Sequence, residues 1–116
     1  MNTSEFTAQI FDICETSPIV TSTFVANSGA TWIQIRALLI DNSFIETFFN
    51  QATGKTAYAW IKDRERILGA DNTRMWHWHP LTEPETHVHV DAPVSFTSFL
   101  HEVEEHLTPS DTSSKR

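Results

Sequence analysis

The chain has 116 residues, 40% of them hydrophobic, so its length and composition suit one domain with a single core. The formal net charge is −7 and only eight Lys and Arg are present, which disfavours a broad nucleic-acid-coating role, since such binding depends on cationic contacts to phosphate. The single cysteine, Cys14, excludes an intrachain disulfide and a cysteine-rich zinc site. The sequence has no recognisable signal peptide, and its longest apolar run, residues 37–40, is too short to span a membrane. We therefore expect a cytoplasmic protein without membrane contact.

The first two thirds of the chain predict a short helix followed by strands. Apolar residues repeat at helical spacing over residues 4–14, with Ser4 as the expected cap, and Ser17-Pro18 ends this pattern. Alternating or β-branched segments separated by short turns then follow at residues 19–26, 31–40, 44–50, 55–62 and 66–70. Short connections of this kind favour an antiparallel meander of about five strands.

The last third predicts an irregular connection and a helix. Residues 71–93 contain Pro80, Pro84 and Pro93, and we expect little regular structure there. One apolar stripe at helical spacing then marks a C-terminal helix over residues 95–107, capped by Ser95: Phe96, Phe99, Leu100, Val103 and Leu107. The prediction is one α+β domain over residues 1–107, with this helix on one face of the sheet, and a disordered tail over residues 108–116.

Two H-x-H pairs in the predicted connection are the strongest chemical signal in the chain. They are His77-Trp78-His79 and His87-Val88-His89. In extended backbone, side chains two residues apart point to the same face, so each pair can present two imidazoles together. His77, His79, His87 and His89 could converge on a divalent metal such as zinc or nickel, with a carboxylate such as Asp71 completing the shell or orienting the rings.

The same segment also supports a reaction without a metal. Cleavage of RNA by its own 2′-hydroxyl needs one group that takes a proton, one that gives a proton, and a cation for the phosphorane charge. His77, His79, Asp71 and Arg74 are the candidate catalytic residues. A third interpretation is purely structural, because Trp76 and Trp78 flank His77 and the histidines could be polar groups at the edge of an aromatic cluster.

Several short motifs resemble the TumE-like toxin family over about residues 18–107. They are Ser17-Pro-Ile-Val20, the two strands around Asp41-Asn-Ser43, Tyr58-Ala-Trp60, Gly69-Ala-Asp-Asn72, Trp76-His77 and His87-Val-His89. Asn42 stands where the family usually has Gly, and Gly69 where it has Arg. The resemblance implies the toxin of a toxin–antitoxin module that acts on RNA, with site residues Asp71, His77 and His87 or His89. It also implies an antitoxin partner encoded by a neighbouring gene, and RNA or a ribosome as target.

Two other classes of function stay open at this stage. The chain could be a non-catalytic protein that binds a metal through the two H-x-H pairs. It could also be a small interaction domain that forms a homodimer through an exposed strand edge.

Overall fold

The computed structural model describes residues 1–80 and 88–107. In chain order, its elements are α1 (Thr3–Glu15), β1 (Val20–Ser28), β2 (Trp32–Leu39), β3 (Phe44–Asn50), β4 (Thr56–Lys62), β5 (Glu65–Asp71), β6 (His77–His79), β7 (Val88–His89) and α2 (Phe96–Leu107). The predicted tail, residues 108–116, and His87 lie outside the described residues.

The strands form one antiparallel sheet in the order of the sequence, from β1 to β7. This confirms the predicted α+β fold with a helix at each end, although the sheet has seven strands rather than about five. The two additional strands lie in the segment that was predicted to be irregular, so that prediction was wrong there. β6 pairs with β5 through Asp71 opposite His77, and Trp78 stacks on Phe99 of α2 at 5.6 Å between ring centroids. Hairpin pairing with β5 and stacking on a helix much later in the chain thus hold a strand of three residues.

Helix α1 begins earlier than the sequence pattern predicted. Asn2, not Ser4, is the cap: its side chain accepts a hydrogen bond from the Glu5 backbone N–H at 2.8 Å, and the Glu5 carboxylate accepts one from the Asn2 N–H at 2.8 Å. This reciprocal capping box satisfies two donors that the first turn of a helix leaves unpaired.

Both helices pack on the same face of the sheet. On β3 and β4, burial alternates residue by residue, with one face buried and the other partly exposed. The ring of Phe6 in α1 stacks on that of Phe49 with centroids 4.9 Å apart, and the ring of Phe99 in α2 lies against that of Tyr58 with centroids 5.5 Å apart. The two helices therefore share the face that Phe49 and Tyr58 occupy. The opposite, helix-free face carries the alternate residues of each strand.

The apolar stripe of α2 forms part of the core, as predicted. Phe96, Phe99, Leu100 and Val103 are buried, and Leu107 packs at the margin. We expect Leu100→Ala to lower the free energy of unfolding by about 2–5 kcal/mol, because it removes buried methyl groups and leaves a cavity. Urea denaturation measures this loss, with the neighbouring exposed residue variant His101→Ala as the control. A loss below about 1 kcal/mol would contradict a core role for Leu100.

A polar chain that runs from buried Trp60 and Ser43 to partly exposed Asp41 and exposed Lys62 connects the β2–β3 turn to β4. The indole N–H of Trp60 donates to Ser43 Oγ at 2.9 Å, Ser43 Oγ–H donates to Asp41, and Lys62 Nζ lies 3.2 Å from Asp41 Oδ2. Asn42 turns the chain here with a φ of 73°, which Asn tolerates. Burial alone would raise the pKa of Asp41, but hydrogen bonds from Ser43 and the charge of Lys62 outweigh it and hold that pKa below its ordinary value.

This network predicts a defined pH dependence of stability. Because the folded-state pKa of Asp41 is lowered, its contribution is present above the ordinary pKa of about 3.9 and is lost as pH falls through the folded value. We expect Asp41→Asn to cost about 1 kcal/mol at neutral pH, and the difference from wild type to shrink below pH about 4. Urea titrations at several pH values test this. A difference that stays constant down to acid denaturation would contradict it.

Strand β1 forms one edge of the sheet. β1 has nine residues, no charged side chain, and mostly exposed positions, including Phe24 and Val25. Such an edge can pair with a second copy of the chain, and self-association through it stays a prediction.

In the described part of the chain, no helix is both long enough and apolar enough to span a membrane.

Candidate functional site

The β5–β6 hairpin brings the predicted site residues onto the helix-free face of the sheet. Asp71 at the end of β5 pairs with His77 of β6, and His77 in turn pairs with His89 of β7. Since side chains alternate along a strand, Trp78 enters the core whereas His77 and His79 point to the opposite face. Both imidazoles are nevertheless only 6% exposed, so they form a buried polar cluster on that face.

Asp71 lies between the two imidazoles. His77 Nε2 is 3.4 Å from Asp71 Oδ1, and His79 Nε2 is 3.1 Å from Asp71 Oδ2. The two rings are 4.9 Å apart between centroids and nearly perpendicular, with an interplanar angle of 73°. One carboxylate thus faces the Nε2 atoms of both rings.

The backbone determines how His77 is oriented. Its Nδ1 lies 3.0 Å from the carbonyl oxygen of Met75, and because a carbonyl only accepts, Nδ1 must carry the proton. Nε2 of His77 is therefore the ring atom left to face Asp71, from which it lies 3.4 Å away, or to bind a metal. Histidines that bind a metal through one ring nitrogen usually donate the N–H of the other ring nitrogen to a carboxylate, a backbone carbonyl or water.

Asp71 is held in its ionised form. Burial would raise its pKa, but hydrogen bonds from Thr73 and from His79, together with the charge of His77, lower the pKa below its ordinary value. The Thr73 backbone N–H donates to Asp71 Oδ1 at 3.0 Å, which closes an Asx turn at the end of β5. The carboxylate is thus available as an anionic partner or ligand at neutral pH.

Arg74 and His89 border the cluster without joining it. A cavity of about 480 Å³ is lined by Thr73, Arg74, Met75, His77 and His89. The His89 ring centroid lies 6.0 Å from that of His77, and His89 is exposed. The structure therefore brings Asp71, His77 and His79 into contact, places Arg74 and His89 beside them, and leaves the fourth predicted histidine, His87, outside the described residues.

Three supporting features were not predicted from the sequence. The Asn72 side chain accepts from the Thr56 N–H at 2.8 Å and donates to the Gly54 carbonyl at 2.9 Å, which ties the site to the β3–β4 turn. The Met75 carbonyl orients His77. At Gly69, a Cβ atom would lie 3.0 Å from Arg66 Cδ and 3.5 Å from His79 Cδ2, so the absent side chain lets Arg66 approach the site. A glycine inside a strand pattern was the available signal for this last feature.

Asp71, His77 and His79 can together hold a metal ion, because one ligand atom from each lies within 4.8 Å of the others. Bonds of about 2.0–2.2 Å to tetrahedral zinc place neighbouring ligand atoms about 3.3 Å apart. The two Nε2–carboxylate distances, 3.4 Å to Oδ1 and 3.1 Å to Oδ2, are close to that spacing but join the histidines to different oxygens, so small side-chain shifts would bring the ligand atoms around one ion. Of the predicted set, the described residues bring together Asp71, His77 and His79, and His89 is not part of this group.

Comparison with protein-family models, curated proteins and solved structures finds no match for this chain. The resemblance to the TumE-like toxins therefore stays a prediction, and the site's geometry is the basis for the functional proposals.

Proposed function

We propose that this protein binds a divalent transition metal, with zinc as the reference ion, through Asp71, His77 and His79. The observation that carries the proposal is the convergence of the Nε2 atoms of two buried histidines on one carboxylate, with His77 Nδ1 already engaged by the Met75 carbonyl. Two imidazoles and one carboxylate form a ligand set that zinc, nickel and ferrous iron accept.

A group of three ligands among the described residues is compatible with a metal that takes part in chemistry. Structural zinc sites use four protein ligands, whereas catalytic sites use three and keep a position for water or substrate. Among the residues that the structure describes, the group has three members. A metal held this way would act as a Lewis acid or lower the pKa of a bound water, while the chain's own residues bind and orient it.

Metal analysis of the purified protein, followed by calorimetric titration of the chelator-treated protein with zinc and nickel, tests this proposal. One metal ion per chain is the expected result. Protein that is purified without metal and gives no binding heat with either ion at neutral pH would refute it.

We propose a toxin with ribonuclease activity as the second candidate, because His77, His89 and Arg74 line one cavity next to Asp71. In this proposal, His77 transfers a proton, Asp71 orients it through the 3.4 Å contact, and Arg74 neutralises charge on the phosphate. His79 Nε2 lies 3.1 Å from the other carboxylate oxygen, Asp71 Oδ2, and would hold the carboxylate in place. Such a toxin would act in the cytoplasm on RNA or a ribosome and would be neutralised by an antitoxin from a neighbouring gene.

A further inference from the structure

The helix-free sheet face contains a shallow floor between two sets of larger side chains. Ala57 and Ala59 of β4 are the small residues of this floor, and they pair with Asp71 and Gly69 of β5. On one side of the floor lies β3 with Glu46 and Phe48, and on the other lies β6 with the histidine cluster. A flat molecule can approach the backbone at the two alanines, which project little from the sheet, whereas the Arg66 side chain lies over Gly69.

A preorganised aromatic pair borders this floor. Trp32 of β2 stacks on Phe48 of β3, with ring centroids 5.9 Å apart and an interplanar angle of 28°. The indole of Trp32 packs across Gly29 so closely that no Cβ would fit there. Both rings are partly exposed on a face that no described helix covers. The pair is thus fixed in place and open to solvent at its edge.

Charge is distributed unevenly between the two layers. The helices α1 and α2 together contain six carboxylates and no Lys or Arg, whereas residues 20–80 contain five acidic and six basic side chains. The two helices therefore contribute much of the net charge of −7. On the helix-free face, Arg36 forms an ion pair with Glu46 at 2.8 Å and lies 4.4 Å above the Phe44 ring, and Arg66 approaches Gly69. Cationic side chains thus accompany the carboxylates of Glu46 and Asp71 on this face.

We propose that the helix-free face is a binding surface for single-stranded RNA, which stacks a base on Phe48 and Trp32 and runs over Ala57 toward the Asp71–His77 cluster. Open sheet faces that present aromatic side chains bind single-stranded RNA by stacking unpaired bases. One cross-strand row joins the two ends of this path, because Phe48 pairs with Ala57, Ala57 with Asp71, and Asp71 with His77. The choice of RNA over DNA rests on the second candidate function, whose chemistry requires a 2′-hydroxyl.

The test measures binding separately from cleavage and from metal. Chelator-treated protein carrying His77→Ala, which removes the proposed proton-transfer group, is titrated into fluorescein-labelled single-stranded RNA, and anisotropy is followed. Phe48→Leu in the same background removes the aromatic face but keeps an apolar side chain. We expect it to weaken binding at least about fivefold, the lower bound for losing one base–aromatic stack.

Phe11→Leu, on helix α1 in the opposite layer, is the matched control and is expected to bind RNA as its parent does. DNA of the same sequence and an RNA duplex are the competing ligands, and both are expected to bind more weakly than the single-stranded RNA. The proposal is overturned if the parent protein does not bind the RNA, if Phe48→Leu binds as tightly as the parent, or if DNA or duplex binds equally well. It is also overturned if Phe48→Leu changes the oligomeric state instead of RNA affinity. A positive binding result with an inactive wild-type protein would reject the ribonuclease proposal alone.

Discussion

His77→Ala and His79→Ala are each expected to lower zinc affinity by more than about 100-fold. Loss of an outer partner that only orients a ligand already costs about 10–100-fold, so loss of a ligand should cost more. Both side chains are buried, and their Nε2 atoms lie 3.4 and 3.1 Å from the same carboxylate, so no other described histidine occupies an equivalent place. Competition with a chromophoric chelator at neutral pH measures the affinities.

His101→Ala is the control for this series, because His101 is an exposed histidine on α2, on the other side of the sheet. It is expected to bind zinc as wild type does. Asp71→Asn should weaken zinc binding while leaving both imidazoles in place, since it removes the anionic ligand. If His77→Ala and His79→Ala bind zinc with wild-type affinity, any metal bound by the protein is held elsewhere, and the proposed site is wrong.

Expression of the wild-type protein without its partner is expected to arrest growth and degrade RNA, and His77→Ala is expected to abolish both effects. Loss of a positioned proton-transfer group costs about 10²–10⁴-fold in rate. His77 is oriented by Met75 and contacts Asp71, which are the features such a group requires. Colony counts and the integrity of total RNA after induction measure the effect.

His101→Ala should be as toxic as wild type in the same assay, and matched protein levels show that the variants fold. Arg74→Ala is expected to reduce toxicity because it removes the cation that lines the cavity with His77 and His89. A wild-type protein that leaves growth and RNA unaffected, with no antitoxin present, would reject the toxin proposal and leave the metal-binding proposal standing.

The two proposals make opposite demands on His77, which allows one experiment to separate them. An imidazole whose Nε2 lone pair is bound to zinc cannot accept a proton there. Added zinc should therefore inhibit a metal-free ribonuclease that uses His77, and a chelator should restore it. If RNA cleavage instead requires zinc and is lost with a chelator, the metal is part of the active site and the metal-free mechanism is wrong.

The sequence was sufficient to predict the elements that depend on local periodicity. The stripe of α2 repeats over more than three helical turns, which was enough to indicate the helix and its buried face. The alternation along β2 and β4 spans whole strands, which was enough to indicate the strands. In α1 the residues at helical spacing, Phe6, Ile10 and Cys14, are likewise the buried ones. Two H-x-H pairs near an Asp-Asn turn were also sufficient to direct attention to residues 71–91.

Tertiary structure alone decided how that segment is arranged. Strand β6 has three residues, too few for an alternating pattern to be distinguished from a loop. It forms because Asp71 pairs with His77 and Trp78 stacks on Phe99. These contacts depend on the register of β5 and the position of α2. That register, rather than the spacing of the histidines, places Asp71 between His77 and His79 and leaves His89 beside them. Residue types determine which chemistry is available to this protein, but strand pairing and packing determine which of those residues meet, because hydrogen bonds between strands connect residues whose proximity no local pattern encodes.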